Sequence, residues 1–169
     1  EVIATCKSLF EKKTRDYGTA WRILRLPSIT DQIFIKAQRI RSIQEKGTQK
    51  VDDPIRDEFI GIINYCIMAL MQMRLEHNPS LELTFEELEP VYDHVVKETF
   101  ELLQQKNHDY GEAWRDMRIS SYTDLILSKL HRIKQIEENK GQTIISEGID
   151  ANYMDIVNYA IFALIKLEE

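Results

Sequence analysis

The sequence predicts an all-α protein, a tandem duplication of a three-helix unit packed as a pseudo-two-fold helical bundle. Three observations carry that prediction. The hexapeptide DYGTAW at 16–21 returns as DYGEAW at 109–114. Between 16–45 and 109–138, sixteen of thirty positions are identical at an offset of 93 residues. Apolar residues recur at helical spacing along most of the chain, and six Gly and four Pro are too few for a many-stranded β fold.

The repeat sets the domain plan. Past that stretch an offset of 94 aligns Asn64-Tyr65 with Asn158-Tyr159, and Ile67, Ala69 and Leu70 with Ile161, Ala163 and Leu164. One extra loop residue accounts for the change, and repetition of this kind marks a duplicated structural unit. The chain divides into a first three-helix repeat at 1–76, a linker at 77–83 and a second three-helix repeat at 84–169, the two packed as one globular domain.

Each helix has its own signal. The first helix of copy two opens on the capping box Thr84-Phe85-Glu86-Glu87, carries Val91, Val95 and Leu102 on one stripe, and is expected to end at Lys106, before Gly111. Its counterpart starts at or before Ile3 and ends near Arg15, before Gly18. A Gly just past a helix commonly ends it in the left-handed conformation. The second helix is expected to start at Ser28-Ile29-Thr30-Asp31 and at Ser121-Tyr122-Thr123-Asp124, with Ser or Thr as cap and an acid in the first turn. Ile33, Ala37, Ile40 and Gln44 form its stripe, matched by Ile126, Leu130 and Ile133. The third helix, from about Ile55 to Leu75 and from about Ala151 to Leu167, is apolar nearly all round and belongs at the centre. Polar loops are expected at 46–53 and 139–149. Each unit is too small for a robust core of its own, so third helix should pack on third helix. The result is a single-chain version of a homodimer, monomeric on that account.

Composition excludes several classes. Hydrophobic residues at 43% and charged residues at 30% are an ordinary globular balance. A net charge of −6 argues against sequence-independent binding to DNA or RNA, which needs a basic face. The longest apolar run, Phe59 to Met73, is interrupted by Asn64 and falls short of the ~18–20 residues of a membrane span, so no membrane partner is expected. Cys6 and Cys66 lie in apolar helical patterns without CxxC spacing and read as buried, reduced thiols of a cytoplasmic protein. The four histidines show no metal spacing, and neither HExxH, a P-loop nor GxSxG is present. No catalytic residue is assigned.

Three sets of positions could carry chemistry. In the hexapeptide segments, Asp16/Asp109, Tyr17/Tyr110 and Trp21/Trp114 combine aromatic faces for a base with the cations Arg22/Arg115 just beyond, suited to phosphate. The same aromatics could instead cover the seam between the first two helices. On the second helix, Lys36/Lys129 sit beside the apolar stripe and share a face with Arg39/Arg132, where charges are costly unless paired or facing a ligand. At the head of the third helix, Asp57 and Glu58 in copy one and Asp155 in copy two are oxygen donors suited to Mg²⁺ or Mn²⁺. Asn64 and Asn158 lie three residues past Gly61 and Asp155 and share a face with them. The alternative is that these acids complement the helix dipole and each Asn bonds across the bundle.

The chain resembles a known family. The pattern K-x-x-D-Y-G, then D-x-x-x-x-K-x-x-R-I, then D-x-x-N-Y-A resembles the nucleotide modification associated domain, a family of unknown function common in bacteriophages and also found in bacteria. Copy two carries it as Lys106 to Gly111, then Lys129 and Arg132-Ile133, then Asp155 to Ala160. Copy one carries Lys13, Asp16-Tyr17-Gly18, Lys36, Arg39-Ile40 and Asn64-Tyr65, with Gly61 where copy two has Asp155. A looser likeness is to the all-α NTP pyrophosphohydrolases of the MazG and dimeric dUTPase type, which place carboxylates of adjacent helices around Mg²⁺. Here Glu98 and Glu101 supply one ExxE, but no ExxD follows.

The resemblance implies nucleotide binding, with Mg²⁺-dependent pyrophosphate cleavage as its enzymatic form. A composite site would gather Asp57, Glu58 and Asp155 around the metal, with Lys36/Lys129 and Arg39/Arg132 on the phosphates. The partner is then a nucleotide or another phosphorylated small molecule. The alternative is a non-catalytic interaction or scaffold domain.

Overall fold

The computed structural model describes residues 1–47, 54–111, 113–139 and 148–169, without the side chains at 54 and 107–110. The polar loops expected at 46–53 and 139–149 lie largely outside the described residues. The helices are α1 (Val2–Tyr17), α2 (Leu26–Lys46), α3 (Pro54–Arg74), α4 (Phe85–Tyr110), α5 (Ile119–Glu138) and α6 (Ile149–Leu167). Short 3₁₀ turns at Ala20–Ile23 and Ala113–Asp116 follow α1 and α4, and no strand occurs among the described residues.

The apolar third helices occupy the centre, as their all-round pattern requires. Phe59, Ile62, Ile63, Ile67 and Met71 of α3 are fully buried, as are Tyr153, Ile156, Ala160 and Ala163 of α6. Burying one large apolar side chain stabilises the fold by about 1.5–3 kcal/mol. α3 packs along α2 and α6 along α5, while α3 meets α6 and α2 meets α5. α1 and α4 lie outside this four-helix core, and each touches both α3 and α6.

The pseudo-dyad is also written in side chains. Lys134 Nζ lies 3.8 Å from Asp31 Oδ1, and Arg41 Nη1 lies 3.7 Å from Asp124 Oδ1. Asp31 and Asp124, and Arg41 and Lys134, are each 93 positions apart, so the two pairs exchange under the dyad. Both are exposed and contribute little energy; they report register.

Three helix ends differ from expectation. α2 and α5 begin at Leu26 and Ile119, upstream of the Ser-x-Thr-Asp segments, and their N-cap residues Arg25 and Arg118 make no side-chain cap. Thr30 and Thr123 instead donate their hydroxyls to the carbonyls of Leu26 (3.1 Å) and Ile119 (3.4 Å), four residues back. Pro27 fits the first turn, where its missing N–H is no loss. α4 continues past Lys106 to Tyr110, so the Asp-Tyr of the hexapeptide belongs to the last helical turn. The chain turns at the glycine, with φ +74° at Gly18 and +60° at Gly111. The capping box forms as written: the Glu87 N–H donates to Thr84 Oγ1 and the Thr84 N–H to Glu87 Oε1, both at 3.1 Å.

Cys6 and Cys66 are buried free thiols. Burial pushes the Cys6 thiol up to about 12 and the Cys66 thiol well above its ordinary value. Among the described residues, no helix is long and apolar enough to cross a membrane.

Candidate functional site

A cleft of about 550 Å³ opens in the first repeat. The C-terminal half of α1 forms one wall with Lys13 and Tyr17, and the turn after it adds Trp21. The opposite wall is the face of α3 that carries Asp57, Gly61, Asn64, Tyr65 and Met68, residues three, four or seven apart and so on one side of a helix. Lys36 of α2 closes the cleft beside Gly61, with Glu58 next to it.

Charge in this cleft is loosely paired. Glu58 sits 3.6 Å from Lys36 Nζ and 3.4 Å from Arg39 Nη1, so one carboxylate is shared loosely between two cations. The Lys36 ammonium also lies 5.8 Å from the centre of the Tyr65 ring. Lys13 has no ion-pair partner among the described residues. The Tyr17 ring is 80% exposed. Trp21 packs on Phe10 with ring centres 6.3 Å apart, and its buried indole N–H finds no acceptor among the described residues. Asn64 is committed to the bundle: its amide donates to the Cys6 carbonyl (3.0 Å) and its oxygen accepts from the Tyr92 hydroxyl (2.9 Å).

The second repeat arranges the same positions differently. Asp155, with a side chain 5% exposed, accepts from Lys106 at 2.8 and 2.9 Å and lies 3.0 Å from Lys129 Nζ. Trp114 stacks on Phe162 with ring centres 4.4 Å apart. The Arg115 guanidinium covers the Trp114 ring at 4.4 Å and pairs with Glu169 at 3.3 Å. Asn158 donates to the Thr99 carbonyl at 3.2 Å, the dyad counterpart of the Asn64 bond to Cys6.

Of the predicted site residues, the structure brings Tyr17, Trp21, Lys36, Asp57, Glu58 and Asn64 onto one cleft, with Arg39 at its edge through Glu58. Asp16 is exposed and does not line it. Arg22 is turned the other way. It donates to the carbonyls of Asn78 (2.8 Å) and Ser80 (3.3 Å) and to Gln72, and desolvation lowers its pKa. It ties down the linker. Arg132 is on the surface beside Gln135. Asp109 and Tyr110 have side chains outside the described residues.

The three proposed metal carboxylates are divided. Asp57 and Glu58 face the first cleft, whereas Asp155 is held by two lysines of the second repeat. Among the described residues no group of three His, Cys, Asp or Glu side chains is placed to hold a metal ion. The composite three-acid site is therefore not what the fold builds: α3 and α6 carry their acids into separate repeats.

Three residues that the geometry brings forward lie outside the predicted set. Lys13 and Lys106 occupy equivalent places near the end of the first helix and reach the cleft and Asp155 respectively. Their signal was the repeated K-x-x-D-Y-G spacing. Thr19 accepts from the Leu83 N–H (3.1 Å) and donates to the Leu81 carbonyl, anchoring the linker beside Arg22. Thr19 corresponds to Glu112 in copy two, so the repeat could not flag it.

No curated protein and no solved structure matches the chain. The family model described as nucleotide modification associated domain 1 matches twice, over residues 13–73 and 106–167. The matched segments open on Lys13, which lines the cleft, and on Lys106, which pairs with Asp155, and together they span most of the sequence. The chain belongs to the nucleotide modification associated domain 1 family, in two tandem copies.

Proposed function

We propose that the cleft of the first repeat binds a nucleotide or a closely related phosphorylated small molecule. The observation that carries this reading is the convergence on one cleft of two lysines and an exposed tyrosine ring. Lys13 and Lys36 supply cations for phosphate. Tyr17 supplies an exposed aromatic face for a base. The family's description, nucleotide modification associated, points the same way.

Asp57 and Glu58 suit a Mg²⁺ or Mn²⁺ ion carried in with the phosphates, because Mg²⁺ is commonly held by one or two carboxylates plus substrate oxygens. Such an ion would supply charge neutralisation. Binding without turnover is favoured over pyrophosphohydrolysis of the MazG type, because the third candidate carboxylate, Asp155, is engaged by Lys106 and Lys129. The helix interface of the two repeats supports a monomer, and two buried free thiols suit a cytoplasmic setting.

Calorimetric titration of the whole chain with a panel of NTPs and dNTPs, with and without Mg²⁺ or Mn²⁺, tests this directly. Saturable binding to at least one nucleotide, weakened at least tenfold by Lys36→Ala and unaffected by Arg22→Met, is expected. No binding with any of them overturns the reading and leaves the scaffold role. Steady release of pyrophosphate would restore the hydrolase.

A further inference from the structure

The two repeats keep both lysines and differ in the acid between them. Lys13 corresponds to Lys106 and Lys36 to Lys129 at an offset of 93, while Gly61 corresponds to Asp155 at an offset of 94. In the second repeat the Asp155 carboxylate fills the space between two ammonium groups, with nitrogen–oxygen distances of 2.8 to 3.0 Å, and is nearly buried. This is a complete anion site whose anion belongs to the chain itself.

The first repeat has the cations without that anion. Gly61 has no side chain, and Lys36 lies across the space: a Cβ built at Gly61 would meet Lys36 Cε at 2.9 Å and Nζ at 3.1 Å. The nearby Glu58 does not replace Asp155. It stands 3.6 Å from Lys36, is shared with Arg39, and leaves Lys13 without a partner among the described residues. The copy-two residue at the Glu58 position is Asn152, so the second repeat has no acid there. The first cleft is lined by two lysines, Lys13 and Lys36, and two acids, Asp57 and Glu58, of which Glu58 is also shared with Arg39 at the edge.

We propose that a phosphate group of the ligand seats over Gly61 between Lys13 and Lys36, the flexible Lys36 chain that lies there swinging aside to pair with it, in the place that the Asp155 carboxylate holds in the second repeat, so that the chain has one ligand site and one self-filled copy of it. The proposal rests on the first cleft being the ligand site and specifies which group of the ligand binds where. Asp155 is then an internal model of the ligand's anion. The second repeat contributes a preassembled, stable half, and the first repeat contributes the opening.

The test uses the whole chain and inorganic pyrophosphate as probe, followed by whichever nucleotide binds. Wild type should bind pyrophosphate at one per chain. Gly61→Asp supplies the missing carboxylate and should weaken pyrophosphate at least tenfold, and Gly61→Asn, of the same shape without the charge, should weaken it less. Lys13→Ala should weaken it several-fold, while Lys129→Ala should leave it unchanged provided the variant melts as a folded protein. Asp155→Gly should raise the stoichiometry towards two. Should Gly61→Asp refuse to fold, the Lys13→Ala and Lys129→Ala pair decides the matter alone.

The outcomes separate the two claims. Nucleotide binding that is indifferent to Gly61→Asp and Lys13→Ala overturns the phosphate seat and leaves the nucleotide reading intact. Pyrophosphate binding that follows the expected pattern, with no nucleotide bound, overturns the nucleotide reading and upholds the seat. Wild type that binds neither overturns both.

Discussion

Thr30 and Tyr153 hold their hydroxyl oxygens 2.6 Å apart across the seam between the repeats, and Thr30 Oγ1 also lies 3.1 Å from Glu137 Oε2. The dyad-related positions are Thr123 and Phe59, and Phe59 has no hydroxyl to offer. This polar knot therefore exists on one side only. Burial raises the Glu137 carboxyl above its ordinary range, against the smaller opposing effect of the Thr30 hydrogen bond. A raised carboxyl binds its proton more tightly in the folded chain than in the unfolded one. Stability therefore falls as pH rises from the ordinary carboxylate value through the raised one, and stays reduced above it. Glu137→Gln removes the ionisation. It should melt at a higher temperature than wild type at pH 7, with the advantage shrinking below about pH 4. Thermal melts at several pH values decide this; an equal or lower melting point at pH 7 refutes it.

The two buried asparagines should not be equally important. Asn64 bonds both the Cys6 carbonyl, which also serves its own helix, and the buried Tyr92 hydroxyl, so Asn64→Leu strands that hydroxyl. Asn158 serves the Thr99 carbonyl, and its own oxygen is buried with no partner among the described residues. At about 1–3 kcal/mol for a buried group left unsatisfied, Asn64→Leu should cost about 1–3 kcal/mol and Asn158→Leu about 1 kcal/mol or less. Urea unfolding of the two variants gives the comparison, and a reversed order would contradict it.

Asp155 should couple Lys106 to Lys129. Either Lys→Met change leaves the carboxylate one partner and should cost about 1–2 kcal/mol, whereas the double change leaves a nearly buried charge unpaired and should cost about 3–5 kcal/mol. Adding Asp155→Asn to the double variant should recover part of that loss. A strictly additive double variant with no recovery would show that the carboxylate is solvated after all.

Arg22 should act on the linker and leave the cleft alone. Its guanidinium serves the Asn78 and Ser80 carbonyls and Gln72. Arg22→Met should cost about 1–3 kcal/mol and speed proteolytic cleavage within 77–83. Unchanged cleavage kinetics in that segment would refute the anchoring role.

The fold was legible because its signals are local or repeated. The capping box at Thr84 and Glu87, the apolar third helices and the 93-residue offset each need only neighbouring residues or a comparison of the chain with itself. The starts of α2 and α5 misled because Thr30 and Thr123 look like caps, whereas a threonine one turn inside a helix can bond backwards to the carbonyl four residues earlier. Part of the cleft was legible too: Tyr17, Trp21, Lys36, Asp57, Glu58 and Asn64 were singled out and do line it. What stayed hidden was tertiary. Lys106 meets Asp155 from 49 positions away, and Arg22 finds its carbonyls 56 and 58 positions on. A cation motif reads the same whether its partner is a phosphate, a carboxylate or a peptide carbonyl.

Glycine at 61 and aspartate at 155 could not coexist in a dimer of identical chains. There, one coding change would strip the carboxylate from both halves at once, and every lysine that leaned on it would lose its counter-charge together. Joining the halves into one polypeptide lifts that restriction. Each half then mutates independently, so one can hold the assembly rigid while the other is reshaped by selection.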